Sequence, residues 1–166
     1  MSAADRVEPM RAEPIVDVHA HLLLPALQQA VAARDAEGLA AAQALEARRN
    51  GPESLAASGR MIGERMALLT SLDARLAEMD RQGVDVQVVS PSPSHYYPWA
   101  GEELAVWAAR EANRAIAEHV AGAPDRLLGL GLVPLQHPQL IVEALEDAVV
   151  ERGLAGVELS LSLIHI

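Results

Sequence analysis

The sequence contains no cysteine and no phenylalanine, and aromatic residues make up only 2% of its 166 positions. The absence of cysteine excludes a disulfide framework and any metal site built from thiolates. A metal ion would therefore have to be held by histidine and carboxylate side chains. The scarcity of aromatic side chains means that the core must be built from many small contacts among alanine, leucine and valine.

Positive charge and long apolar runs are also scarce. Lysine and arginine together number 13 against 23 acidic residues, which gives a formal net charge of −10. Because nucleic-acid binding depends on neutralising phosphates with basic side chains, we expect no nucleic-acid partner and no anionic membrane surface as a partner. No stretch approaches the roughly 20 apolar residues that span a bilayer, and residues 1–13 lack the apolar segment of a signal peptide. These absences predict a cytoplasmic protein.

The remaining sequence alternates between β-rich and helical patterns. The predicted strands cover residues 15–19, 84–90, 127–133 and 156–160, and the predicted helices cover residues 26–49, 71–82, 102–121 and 138–152. Asn50-Gly51-Pro52 is expected to end the first helical region, and residues 53–70 fit neither pattern. Strands that alternate with helices indicate right-handed βαβ units and a parallel sheet. No glycine-rich phosphate loop follows the first strand, but periodicity alone leaves open a small doubly wound sheet or part of a barrel.

Two histidines stand at the carboxyl end of the first strand. Side chains two positions apart on a strand point to the same face, so the rings of His19 and His21 are expected to converge at the edge where parallel sheets place their sites. Neutral imidazole nitrogens suit zinc and similar divalent ions. Asp17, on the same face, could steady one imidazole. The alternative is two ordinary histidines near a strand end, and a pair alone leaves a catalytic zinc site incomplete.

Several longer segments resemble one known family. IVDVHAHLLLP at residues 15–25 is similar to the opening of the amidohydrolase superfamily. LAEMDRQGVDVQVVSPSP, PDRLLGLGLVPLQHP and ERGLAGVEL resemble its decarboxylase branch, typified by aminocarboxymuconate semialdehyde and resorcylate-type decarboxylases. The resemblance covers about residues 15–160. The run MDRQGVDVQVVSPSP is the part most specific to the decarboxylase branch.

The resemblance implies a fold and a chemistry. Residues 15–160 would form the first half, about four βα units, of a (β/α)8 barrel, with His19 and His21 as metal ligands and Zn²⁺ as the expected cofactor. A further histidine after strand five, an aspartate after strand eight and a catalytic histidine would lie beyond this sequence. The expected full-length protein is a homodimeric, metal-dependent carboxy-lyase acting on an unsaturated or aromatic carboxylic acid. The alternatives are a metal-dependent hydrolase of C–N, C–O or C–C bonds, a fragment without activity, and a metal-dependent nuclease, which the acidic composition disfavours.

Residues 90–99 would line the mouth of such a barrel. His95, Tyr96, Tyr97 and Trp99 could contact the substrate there, or they could simply pack on a neighbouring element. Glu158, on the fourth strand, faces away from its two neighbours in the chain and could point into the barrel interior or remain an exposed charge.

Two arginines precede the helix predicted over residues 71–82. Related decarboxylases have a similar layout, in which arginine in this region grips a substrate carboxylate, and arginine suits a bidentate carboxylate partner. Arg60 and Arg65 are therefore candidate substrate-binding residues. The alternative is that both are ordinary surface residues.

The two ends of the sequence depart from the family pattern. Residues 1–14 are expected to form a disordered leader. The last six residues, LSLIHI, resemble the translation of a transposon-type sequencing adapter, so we expect residues 161–166 to be non-native. His165 is accordingly not assigned as a ligand. Sequencing the DNA downstream of codon 160 tests this expectation.

Overall fold

The computed structural model describes residues 13–160. The predictions of a leader over residues 1–14 and of a non-native tail over residues 161–166 fall outside this range, apart from residues 13 and 14. The strands are β1 (Val16–Leu22), β2 (Val86–Pro91), β3 (Leu127–Gly131) and β4 (Gly156–Val157), and the helices are α1 (Pro25–Arg34), α2 (Ala36–Thr70), α3 (Leu72–Gln82), α4 (Glu102–Ala121) and α5 (Ile141–Glu146). Short 3₁₀ turns at Pro93–His95 and Pro138–Leu140 and a π-helical turn at Asp147–Glu151 complete the order.

The four strands form one parallel sheet in the order β1-β2-β3-β4. Each strand pairs with the next one along the chain. A doubly wound sheet reverses its strand order after the first strands, whereas consecutive strands of a (β/α)8 barrel are neighbours. The topology therefore confirms the α/β prediction and decides between the two architectures that periodicity left open.

Residues 53–70 are helical, which the sequence pattern did not indicate. They form the second part of α2, and Gly51, with φ 74° and ψ 163°, kinks the helix rather than ending it. Pro52 follows the kink directly and suits the first turn of the renewed helix, because a proline there sacrifices no hydrogen bond. At the start of α2, the Asp35 carboxylate accepts a 2.8 Å hydrogen bond from the Gly38 amide, which separates α1 from α2.

The helices cover one face of the sheet, and small residues let them approach closely. A Cβ added to Gly131 would lie 2.5 Å from the Asn113 Oδ1 atom of α4, and one added to Gly129 would lie 2.9 Å from the Ile116 side chain. The side of α4 that meets the sheet is almost entirely buried and consists largely of alanine: Ala105, Ala108, Ala109 and Ala112. The core is thus built from small contacts, as the composition predicts.

The opposite face of the sheet is open. Val18 is 71% exposed, Val16 45% and Leu128 46% on this side. In a closed barrel this face would be the interior. None of the helices described between residues 13 and 160 is long and apolar enough to cross a membrane.

Candidate metal centre

His19 and His21 lie side by side on the open face of the sheet. Their ring centroids are 4.6 Å apart and the ring planes meet at 76°. The strand register slips between Asp17 and Ala20, so β1 carries one extra residue relative to β2. The bulge lies before Ala20 and His21. The two imidazoles still project to the same side of the sheet, as the sequence predicts.

Each ring has a polar neighbour from another strand at its Nδ1 atom. His21 Nδ1 lies 3.2 Å from the Ser90 hydroxyl oxygen, and these two residues are register partners across β1 and β2. His19 Nδ1 lies 3.9 Å from the Oε1 atom of Glu158, just beyond β4. The open face of the sheet thus gathers polar side chains from three of the four strand ends.

The environment of His21 disfavours the protonated form of its ring. Burial is the main cause that lowers the pKa of His21, and the Glu158 carboxylate opposes it, while His19 and Arg75 add to the lowering. An imidazole must be neutral to offer a lone pair to a metal ion. The environment of His21 therefore favours the form that binds a cation.

Asp17 does not steady an imidazole, so that prediction is wrong. The bulge turns its side chain to the helix-covered face, where Oδ1 accepts a 3.1 Å hydrogen bond from the His19 backbone amide. Oδ2 accepts from Gln87 at 2.8 Å, and Gln87 in turn accepts from Arg75 at 2.6 Å. Arg75 also donates to the backbone carbonyl of His21 at 2.7 Å. This network fixes the backbone that carries the two rings.

Arg75 and Gln87 were not singled out by sequence reasoning, although a signal for Arg75 existed. Arg75 lies within the apolar stripe of α3 marked by Leu72, Leu76 and Met79, and it is only 5% exposed. A charged side chain on a buried helix face requires partners. The sequence could therefore have predicted that Arg75 has buried polar partners. It could not have identified β1 and β2 as the strands that carry those partners.

His95 is completely buried, and both of its ring nitrogens have protein neighbours. Nε2 accepts a 2.9 Å hydrogen bond from the Leu24 amide, and Nδ1 lies 3.3 Å from the Tyr97 hydroxyl. Burial lowers the pKa of His95 to about 4. The contacts give His95 a role in joining residues 90–99 to the end of β1, and they do not favour the predicted contact with substrate.

The aromatic residues that follow His95 separate into two environments. The Tyr96 hydroxyl donates a 3.2 Å hydrogen bond to the backbone carbonyl of Glu158, the residue whose side chain neighbours His19. Burial raises the pKa of Tyr96 above its ordinary value, and Glu158 adds to the effect. Tyr97 and Trp99 instead pack edge to face, with centroids 6.0 Å apart, and Trp99 also contacts Gly38 of α2. Tyr96 is thus the aromatic residue of this segment whose described contacts reach the candidate centre.

Arg60 and Arg65 both lie on the second part of α2, and both are exposed. Arg65 is close enough to Glu78 of α3 to contribute to the lowering of that carboxyl's pKa, which results mainly from the hydrogen bond with Arg81. No described contact brings either arginine to the histidine pair, and their role in substrate binding stays a prediction.

The side chains present can fill part of a metal coordination shell. Within residues 13–160, no group of three or more histidine, aspartate or glutamate side chains is arranged to hold a metal ion. Two converging imidazoles nevertheless provide the nitrogen donors that borderline divalent cations prefer. The described residues therefore fit two positions of a coordination shell that needs further ligands.

Consecutive parallel βα units with paired imidazoles at their carboxyl edge define a chain of the (β/α)8-barrel class. The sequence matches the amidohydrolase family over residues 16–164, so the chain belongs to that family. The resemblance to this family and to its decarboxylase branch is thereby confirmed.

Individual relatives are similar to parts of the chain. It is 34% identical over 87 residues to a 2-amino-3-carboxymuconate-6-semialdehyde decarboxylase of Dictyostelium discoideum, covering 52% of this chain and 24% of the relative. It is 35% identical over 89 residues to a γ-resorcylate decarboxylase of Rhodococcus jostii, covering 54% and 27%. A dihydroxybenzoic acid decarboxylase from Polaromonas, solved with manganese and 2-nitroresorcinol, superposes with a TM-score of 0.62 at 23% identity, covering 87% and 37%. The matched segments thus span about a quarter of the curated relatives' length.

Proposed function

We propose that the chain supplies the histidine pair of the metal centre in a decarboxylase that acts on an aromatic or unsaturated carboxylic acid. The observation that carries this proposal is the convergence of His19 and His21 at the carboxyl edge of the sheet. The decarboxylase names of the curated relatives support the reaction type and the substrate class.

In this proposal, His19 and His21 hold a divalent cation through neutral imidazole nitrogens. The cation would polarise a substrate oxygen and so stabilise the negative charge that develops during reaction. Zn²⁺ is the expected cation from the nitrogen donors, while the manganese in the Polaromonas structure makes Mn²⁺ the competitor. The remaining ligands and the catalytic histidine implied by the family are expected outside residues 13–160. We therefore propose that the 166-residue chain is inactive by itself.

The substrate is proposed to lie over the open face of the sheet. Tyr96, whose hydroxyl donates to the Glu158 carbonyl, is the proposed aromatic contact of the substrate, and its hydroxyl stays protonated because burial raises its pKa. His95 acts through the hydrogen bonds that join residues 90–99 to the end of β1, and Trp99 remains a candidate contact of the substrate. Arg60 and Arg65 remain candidate partners for a substrate carboxylate. A homodimeric full-length enzyme in the cytoplasm completes the proposal.

Release of CO₂ from a panel of aromatic acids tests the proposed function. The measurement requires protein expressed from the complete reading frame and loaded separately with Zn²⁺ or Mn²⁺. We expect CO₂ release by that protein and none by the 166-residue chain. Replacing His19 and His21 together by alanine should abolish the activity, while Arg114→Ala, on the solvent-exposed side of α4 where it pairs with Glu111 and Glu118, should retain it.

Two results would contradict the proposal. Release of CO₂ that survives the double replacement would exclude a role for the histidine pair. Cleavage of amide or ester substrates without any CO₂ release would favour the hydrolase alternative.

A further inference from the structure

We propose that Glu158 is a positioning residue that fixes the tautomer of His19, so that the Nε2 atom of this ring faces the metal ion. The inference rests on the proposed metal-binding role of His19 and His21. It concerns the side chain that controls the geometry of the pair and not the identity of the ligands.

The position of Glu158 suits this role. Its Oε1 atom lies 3.9 Å from His19 Nδ1, which is ion-pair range and about 1 Å longer than a direct hydrogen bond. The His19 side chain is 67% exposed, whereas that of Glu158 is only 27% exposed. A small rotation of the imidazole therefore closes the contact. The carboxylate is the better-fixed partner of the two.

The other carboxylate oxygen of Glu158 remains available within the part of the chain that the structure describes. Oε2 is buried, and among the described residues no group forms a hydrogen bond with it. A buried carboxylate oxygen without a partner costs about 1–3 kcal/mol or more, so such a group is normally explained by a function or a missing ligand. The Tyr96 hydroxyl holds the backbone carbonyl of Glu158, which fixes where the side chain starts. The carboxylate is thus held near the ring with spare capacity to accept a hydrogen bond.

An ionised carboxylate selects one tautomer because it can only accept hydrogen bonds. If it accepts from His19 Nδ1–H, the proton cannot reside on Nε2, and the Nε2 lone pair is available for a cation. Ser90 occupies the equivalent position at His21 Nδ1, but a hydroxyl can donate or accept and does not by itself force a tautomer. Glu158 is therefore the described neighbour of the pair that imposes a ring state. Carboxylates that orient ligating histidines in this way typically change metal affinity by about 10- to 100-fold when replaced.

The test uses the 166-residue chain, the isosteric variant Glu158→Gln and the matched control Glu103→Gln, which removes one exposed carboxylate from the first turn of α4. Imidazole ¹⁵N chemical shifts of metal-free protein report the tautomer of each histidine. Titration calorimetry with Zn²⁺ reports affinity. We expect the Nδ1–H form at His19 in the unaltered chain and in Glu103→Gln. Glu158→Gln should shift this ring towards the Nε2–H form and weaken zinc binding by about 10- to 100-fold.

The outcomes separate this inference from the proposed function. An unchanged His19 tautomer and unchanged zinc affinity in Glu158→Gln would overturn the positioning role while leaving the metal proposal standing. Complete loss of zinc binding with an unchanged tautomer would also overturn it, because Glu158 would then be a ligand itself. No zinc binding by the unaltered chain, with His19 in the Nδ1–H form, would contradict the metal-binding role of the pair in this chain and not the control of the ring by Glu158. Thermal unfolding followed by circular dichroism verifies that each variant folds.

Discussion

The guanidinium of Arg75 on α3 donates a 2.7 Å hydrogen bond to the backbone carbonyl of His21 on β1. The same group donates to Gln87, which in turn holds Asp17. A buried side chain of a helix therefore fixes the strand that carries the candidate metal ligands. The position of the pair depends on residues that have no direct part in the chemistry.

Replacing Arg75 tests the importance of this anchor. Arg75→Met keeps most of the side-chain volume but leaves the His21 carbonyl and the Gln87 amide oxygen without their donor. We expect a loss of about 2 kcal/mol in the free energy of unfolding, because buried acceptors then lack hydrogen bonds. Urea unfolding followed by circular dichroism measures the effect. Arg81→Met, which removes an exposed ion pair with Glu78 on the same helix, should cost much less, because solvent screens that pair. Equal losses in the two variants would contradict the anchoring role.

The burial of His95 predicts a pH-dependent stability. Its pKa is about 4 in the folded protein, against an ordinary value of 6.5, so the unfolded chain binds more protons between these values. The folded state therefore loses stability as the pH falls from 6.5 towards 4, by up to about 3 kcal/mol from this residue. Protonation would also break the hydrogen bond from the Leu24 amide to Nε2.

Unfolding in urea at several pH values checks this behaviour. His95→Gln should show a shallower loss of stability on acidification, with part of the slope remaining because burial also lowers the pKa of His119 to about 4. If the profile of His95→Gln matches that of the unaltered chain, His95 does not take up the proton.

Two glycine replacements should act in opposite directions. Gly131→Ala places a methyl group 2.5 Å from Asn113 Oδ1, and this buried amide pairs with both the Leu132 N–H and its carbonyl. We expect a loss of about 1–3 kcal/mol from overpacking and disturbed hydrogen bonds. Gly59→Ala lies in α2, where the added Cβ meets nothing within 4 Å, and should gain about 0.5–1 kcal/mol. Thermal melts measure the change in stability of each variant. Stabilisation by Gly131→Ala would disprove the close packing of β3 on α4.

A stripe of apolar side chains on α5 and the following turn predicts self-association. Val142 is 66% exposed and Val150 73%, and Leu145 and Val149 lie between them at helical spacing. Exposed apolar surface of this kind favours dimers or aggregates. Light scattering after gel filtration should show that the 166-residue chain associates and that replacing Val142 and Val150 together by glutamine reduces the association. The paired replacement of Glu102 and Glu103 by glutamine, on a polar surface, should not reduce it.

Much of the fold could be predicted because its elements follow local rules. β1 and β2 are rich in valine and β3 in leucine, and Ser71 and Gly83 bound α3 as cap residues. The convergence of His19 and His21 follows from strand alternation in the last part of β1. Residues 53–70 were harder to assign, because the kink at Gly51 is a single left-handed conformation that looks like a helix end in the sequence.

The polar environment of the pair could not be predicted, because it depends on tertiary contacts. The bulge in β1 moves the Asp17 side chain to the opposite face of the sheet, and no residue type in the motif indicates that a bulge is present. Glu158 and His19 belong to opposite sides of the sheet, at the ends of β4 and β1. The distance between their side chains therefore depends on the exact placement of these two outer strands. Arg75 of α3 reaches β1 and β2 through its hydrogen bonds to the His21 carbonyl and to Gln87, which no local pattern in the sequence indicates.

The extra residue in β1 has a practical consequence for protein engineering. Because of it, one short segment places an anchoring carboxylate beneath the helices and then two imidazoles above the opposite surface. Transplanting residues 17–21 onto a strand that lacks the bulge would leave Asp17 on the same face as the two rings, unattached to any supporting helix. The irregular stretch from Asp17 to Ala20 would have to be transferred together with the histidines.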